Sequence, residues 1–206
     1  MTTKKSVFGT GINDIKGSSG SAYYSQWYEM LRRCYSENYV DIYPTYKDAH
    51  VCQEWHHLSN FKAWMEQQEY TGCVLDKDIL CKGEKVYSPE TCCFVPDVLN
   101  LVIIRSDSSR GNLPIGVTVD PRKAVGTKRF VSRVGSGVRG RNIHLGMFTT
   151  PIEAHFAWQL AKALMIEDEV EGWYNHISYR PDVADALLKM AWKLRLDNLN
   201  QRETKC

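Results

Sequence analysis

Residues 75–100, LDKDILCKGEKVYSPETCCFVPDVLN, concentrate the side chains of this chain that suit hydrolysis at phosphorus. Asp76 and Asp78 stand two residues apart with Lys77 between them, a spacing that puts both acids on one face of an extended strand. Asn100 follows Pro96-Asp97 by about one helical turn. A carboxylate from a strand end and an amide oxygen from a helix are hard donors. They suit a water-retaining cation such as Mg²⁺ (or Mn²⁺), which would stabilise charge on a pentavalent phosphate and on the leaving oxygen. A lysine, with a reference pKa of about 10.4, is protonated near neutrality, so Lys77 is fitted to donate to a phosphate oxygen rather than to take a proton from water. The groups fitted to take that proton are Asp78 and the histidines just upstream, His50, His56 and His57. His56, directly after Trp55, is the first choice among them; the plain alternative for each is a surface or core histidine with no catalytic part.

Four short elements must position these groups. Val74-Leu75 reads as an apolar strand running into the acids, and Lys82-Gly83-Glu84 as a tight reversal. Val86-Tyr87 restarts an extended segment that Ser88, Pro89 and Thr91 punctuate. Phe94 to Asn100 then reads as a helical turn with Pro96 at its first position. Strand, turn, strand and short helix resemble the ββα-metal unit of the HNH (His-Asn-His) nucleases. The spelling is similar to that of phage homing endonucleases, roughly LDxxD, a spacer, YSPExC, a hydrophobic pair and a later Asn. That resemblance implies Asp76 and Asn100 as metal ligands, Thr91 where the structural Asn usually stands, and Lys77 at the position of the general base.

Upstream, YYSQWYEMLRRCYSENY places Trp27, Met30, Leu31 and Cys34 at helical spacing, with Arg32 and Arg33 on the other side. A second helix is expected near residues 58–68, where Phe61, Trp64 and Met65 share a face. A ββα unit alone buries too little to be stable, so these helices should supply its core. The run YxxWxxMxxRCYS, YPTYKD, VCxEW and NFxxW also resembles the segment that precedes the nuclease unit in phage HNH proteins. The first 21 residues, rich in Gly, Ser and Thr, are expected to be a flexible lead-in with few core contacts.

Downstream, the basic residues Arg105, Arg110, Arg122, Lys123, Lys128, Arg129, Arg133, Arg139 and Arg141 face only Asp107 and Asp120, which points to a polyanion partner. Residues 116–119, 129–134 and 142–148 read as three strands separated by Gly-rich turns. Alternation places Arg129, Val131 and Arg133 on one face of the middle strand and Phe130, Ser132 and Val134 on the other. Thr150-Pro151-Ile152-Glu153 reads as a capping box opening a helix whose stripe is Phe156, Ala157, Leu160, Ala161 and Leu164. A last helix should start at Pro181-Asp182. Three strands, the sequence Leu145-Gly146-Met147-Phe148 and a helix beginning TPIEAHFAW resemble the Apetala-type DNA-binding domain of plant ethylene-response factors. Carried over, groove or phosphate contacts fall to Arg122, Arg129, Arg133, Arg141, Asn142 and His144. The family's contact tryptophan falls at His144 here, so its base preference does not transfer.

The 206 residues, 43% hydrophobic, can fill two small cores. The seven cysteines are odd in number and form no CxxC pair, so free thiols are expected rather than disulfides. A zinc held by Cys73, Cys81, Cys92 or a nearby histidine is the alternative. No apolar signal region or membrane-length run appears, which gives an expectation of a cytoplasmic protein, in the bacterial host if phage-encoded.

The expected fold is α+β: a helical layer with a ββα-metal unit, then a three-stranded antiparallel sheet packed on a helix. The expected divisions are a lead-in at 1–21, the nuclease domain at 22–106, the DNA-binding domain at 111–196 and a tail at 197–206. The resemblances imply a divalent-metal endonuclease acting on double-stranded DNA. The alternatives are a cleavage-deficient DNA-binding regulator or phage anti-defence effector, and a nuclease that acts on RNA or structured host nucleic acid.

Overall fold

The first helix starts where Ser21 stops being helical: its hydroxyl accepts from the Tyr24 amide at 3.3 Å, and α1 runs from Ala22 to Tyr35. Its buried face is Trp27, Met30, Leu31 and Cys34, the set expected from spacing. The computed structural model containing it describes residues 6–103, 111–136 and 141–205, with six α-helices and small sheets in a mixed α+β arrangement. The chain divides into two compact units, Met1–Val95 and Pro96–Cys206. The division falls before α4, not after residue 106, and assigns Asp76 and Asn100 to different units.

In the first unit α1 is followed by α2 (Glu37–Ile42), a turn at Pro44–Tyr46, β1 (His50–Val51), a turn at Gln53–His56 and α3 (Leu58–Met65). Then come β2 (Cys73–Asp76), β3 (Val86–Tyr87) and most of β4 (Cys93–Pro96). The core joins Trp27, Met30 and Leu31 to Trp55, Leu58, Phe61 and Met65, to Leu75, Tyr87 and Phe94 from the strands, and to Cys92 just before β4. Each large side chain buried here contributes about 1.5–3 kcal/mol. The Trp27 indole N–H also finds an acceptor in the Trp55 carbonyl, at 2.7 Å.

Pairing among the strands differs from the expected hairpin. β2 pairs with β4, while β3 pairs in parallel with β1 through His50–Val86 and Val51–Tyr87. Phe94 and Val95, expected to be helical, belong to β4; Pro96 caps the following helix, α4 (Asp97–Val102), instead of entering it. Cys92 through Val95 are all buried. A continuous apolar run of that length satisfies a strand covered on both faces as well as it does a helix.

The described part of the expected loose lead-in makes core contacts, with Val7, Phe8 and Ile15 packed against the first unit's core. Gly11 is buried so close to α1 that a Cβ would lie 2.3 Å from Leu31 Cδ1, and Ile12 bridges to His57. Asp14 then caps α3 from a distance. Its carboxylate accepts from the Ser59 amide at 2.9 Å and the Ser59 hydroxyl at 2.6 Å, and His57 Nδ1 lies 3.3 Å away. Burial alone would raise the Asp14 pKa, but the Ser59 hydroxyl and amide and the His57 ring outweigh it and hold the carboxyl below its ordinary value. A lowered folded pKa means stability that is present above the ordinary carboxyl range and lost as pH falls through the folded value. Asp14→Ala should therefore cost about 1 kcal/mol at pH 7 in urea unfolding. The gap from the parent should close below about pH 4; a gap that stays constant with pH would remove the capping role.

The second unit holds α4, a three-stranded antiparallel sheet of β5 (Val117–Val119), β6 (Phe130–Gly135) and β7 (Asn142–Phe148), then α5 (Pro151–Trp173) and α6 (Pro181–Leu199). The capping box forms as expected: the Glu153 amide donates to the Thr150 hydroxyl and the Thr150 amide to the Glu153 carboxylate. The stripe of α5 does not. Leu160 and Leu164 are 42% and 50% exposed, and the buried face is Ala154, His155, Trp158, Gln159, Lys162, Ala163 and Ile166. Hydrogen bonds explain the rotation. The Ile115 carbonyl lies 2.8 Å from His155 Nδ1, the Thr204 amide donates to His155 Nε2 at 3.0 Å, and the Gln159 amide donates to the Arg202 carbonyl and the Thr204 hydroxyl. The expected tail is thus part of this unit, with the segment after α6 folded back on α5.

Candidate functional site

Asp76 ends β2 and is buried. Its Oδ1 accepts from the amides of Asp78 at 2.7 Å and Ile79 at 3.0 Å, the local turn that an aspartate makes with backbone two and three residues on. The strand stops there because that side chain competes for the amides a longer ladder would use. Asp78 therefore lies in a turn, not on the strand face expected for it. Its carboxylate accepts from Lys77 Nζ, which is itself buried, donates also to the Glu84 carbonyl at 3.2 Å and stands 5.8 Å from the centre of the Tyr87 ring. Lys77 and Asp78 are thus an ion pair, with the lysine buried and the carboxylate half exposed.

Thr91 is buried at the turn between β3 and β4. Its hydroxyl donates to the Val86 carbonyl at 2.8 Å and accepts from the Ser88 amide at 3.0 Å, which closes the turn YSPET onto itself. This is a structural fastening. The neighbouring thiol of Cys92, like that of Cys34 in α1, is pushed up to about 12 by burial and stays protonated at neutral pH. Among the described residues no three His, Cys, Asp or Glu side chains cluster as a metal site, so the expected alternative of a Cys-based zinc has no ligand group there.

Each candidate histidine has a partner. The ring of half-buried His56 places Nε2 3.1 Å from the Val51 carbonyl and packs edge-on to Tyr35. A carbonyl only accepts, so Nε2 donates to it and the acceptor lone pair of the neutral ring lies on Nδ1. Exposed His50 lies with Nδ1 3.3 Å from the Asp48 carbonyl. His57 is oriented by Asp14, a partner 43 residues away that no local pattern announces. Asn100 sits half-buried on α4 in the second unit.

On the sheet of the second unit, a bulge between Ser132 and Arg133 breaks the expected alternation: Val131, Ser132 and Val134 are all buried, and Arg133 is exposed. Arg133 pairs across the ladder with exposed His144 and donates to the Thr118 hydroxyl at 3.1 Å. Asn142 and Arg141 are exposed nearby in sequence. Arg129 does not join them. It is half-buried, its Nε lacks a hydrogen-bond partner, and its guanidinium lies 5.8 Å from the Phe130 ring centre. Arg122 is exposed but forked onto Asp120 at 2.9 and 3.0 Å; those bonds hold the Asp120 carboxyl down to about 2. Arg105, Arg110 and Arg139 lie outside the described residues. Of the expected contacts, Arg133, Arg141, Asn142 and His144 present polar groups to solvent.

No family model, curated protein or solved structure matches this chain.

Proposed function

We propose that this chain is a divalent-metal-dependent endonuclease of the HNH type that binds double-stranded DNA and hydrolyses or nicks its phosphodiester bonds. The observation that supports this most is the order of elements around Asp76: β2 pairs with β4, and β4 leads directly into the short helix carrying Asn100. The carboxylate at the end of β2 is held at one oxygen by two backbone amides, the kind of second interaction that fixes a metal-ligating carboxylate. The donor chemistry of Asp76 and Asn100 fits a hard cation, Mg²⁺ or Mn²⁺. When bound, the ion supplies charge stabilisation at the phosphoryl oxygens and activates water. Thr91 fastens the turn before β4, and Lys77 is paired with Asp78. Binding of the duplex falls to Arg133, His144, Asn142 and Arg141.

Incubation of the purified chain with supercoiled plasmid and with structured RNA, in Mg²⁺ or in EDTA, tests the reading. Nicking in Mg²⁺ that EDTA and Asn100→Ala abolish is the expected result. Duplex binding should weaken in Arg133→Ala, and its log-log salt slope should become shallower by about 0.9; an unchanged slope removes Arg133 from the phosphate contacts.

A second reading, a cleavage-deficient DNA-binding protein of regulatory or anti-defence use, draws on one observation. Lys77, at the position that the resemblance gives to the general base, is buried and held in an ion pair with Asp78. Duplex binding without cutting in any metal would select it, and cutting of RNA alone would move the substrate.

A further inference from the structure

The exposed leucines of α5 belong to a wider apolar surface. α6 buries Val183, Leu187, Ala191 and Leu194 but leaves Leu188, Trp192, Leu196 and Leu199 exposed, Trp192 by 67%. Arg195 of α6 donates to Glu167 of α5 at 2.8 Å and Asn198 to Gln159 at 3.1 Å, so the two helices run antiparallel. Leu164 and Leu160 stand three and seven residues before Glu167; Trp192 and Leu188 stand three and seven before Arg195, and Leu199 four after it. Those are the spacings of a single helix face. The Glu167–Arg195 ion pair therefore lies between two apolar stripes that open to the same side. The sheet side of α5 is a different one, where Trp158 closes on Gly116 and His155 meets the Ile115 carbonyl.

A helix pair with a sheet on one side and bare leucines on the other lacks a covering layer. Area and charge both point to a second copy of this chain. The six exposed side chains offer on the order of 500 Å² of apolar surface. Two such faces laid together remove about 1,000 Å² from water, close to the apolar share, about three-fifths, of a standard interface of about 1,600 Å². Beyond Glu167, α5 carries the exposed acids Asp168 and Glu171, and at the same end of the pair α6 carries exposed Lys189. A two-fold axis parallel to the helices sets each α5 on the other copy's α6 with heights unchanged. The acids of one copy then meet Lys189 of the other, twice over.

We infer that this chain forms a two-fold homodimer through the outer faces of α5 and α6, the two pairs closing into an antiparallel four-helix bundle. The contact needs neither metal nor duplex, so it goes beyond the cleavage reading and does not depend on it. It also gives the leucines that break the expected burial of α5 a use.

Sedimentation equilibrium of the full chain tests the dimer. The parent should associate with a Kd in the micromolar range, about 1–10 μM. Trp192→Glu changes a side chain already exposed in the single chain, so its helix content by circular dichroism should match the parent's, while Kd rises at least about a hundredfold. Ile177→Glu, equally exposed but between the helices, should leave Kd unchanged. Lys189→Glu sets like charges opposite one another and should raise Kd about tenfold; adding Glu171→Lys to the same chain should restore most of that loss. A parent that stays monomeric to about 200 μM would overturn the inference, as would a dimer that Trp192→Glu leaves intact. Growth past the dimer without a plateau would overturn the closed two-fold, and absence of charge rescue would overturn its axis. Plasmid cutting is read separately, so failure of the nuclease reading leaves this result standing.

Discussion

Asp76→Asn should fold like the parent and cut supercoiled plasmid about a thousandfold more slowly, whereas Asp76→Ala should lose stability as well as cutting. The two variants separate what one carboxylate does in two roles. Asparagine keeps an oxygen where Oδ1 accepts from the Asp78 and Ile79 amides, so the turn survives at a cost of about 1 kcal/mol. It removes the negative charge, and a metal-bound transition state that loses about 4 kcal/mol of stabilisation slows by about three powers of ten. Alanine leaves both amides without that acceptor, at a further cost of about 1–3 kcal/mol. Cleavage in Mg²⁺ and urea unfolding, measured side by side, decide the matter. Asp76→Asn cutting at the parent rate would mean that Asp76 only shapes the turn.

The second large effect is expected at Gly116. Its φ of +79° is a left-handed conformation, and a Cβ there would lie 2.1 Å from Trp158 Cδ1. Trp158 is nearly fully buried and stacks on His155, so it has little room to withdraw. Gly116→Ala should therefore cost about 1–2 kcal/mol for the backbone and about 1–3 kcal/mol for the collision, a large part of the stability of a small unit. Because the two costs have different origins, they can be told apart by a double-mutant cycle. In a Trp158→Ala background the collision is gone, and Gly116→Ala should cost only the backbone share in denaturant unfolding. An equal cost in both backgrounds would show that the tryptophan is not what confines the glycine.

Local patterns carried the sequence reading where they determine the outcome, and it stopped where partners come from far along the chain. The face of α1, the three strands of the second unit and the capping box at Thr150 follow from neighbours within a few residues. The face of α5 does not. Its leucines suggested one stripe, but His155 and Gln159 are turned inward by groups at 115, 202 and 204 that periodicity cannot report. Asp78 illustrates the same limit at the candidate site. Alternation put it beside Asp76, and a turn made by Asp76 itself took it elsewhere. The Lys77–Asp78 ion pair and the Asp14 cap on α3 required the folded chain.

The strands of the first unit interlock in sequence: the first pairs with the third and the second with the fourth. A hairpin could be lifted out and moved to another protein with its turn intact. This arrangement cannot, because β1, at residues 50–51, is an outside partner that the stretch 75–100 needs for β3. The carboxylate of Asp76 is therefore not carried by a portable cassette. Its surroundings are closed by two overlapping loops, so the entropy of bringing residues 50–51 to residues 86–87 is part of the cost of building them.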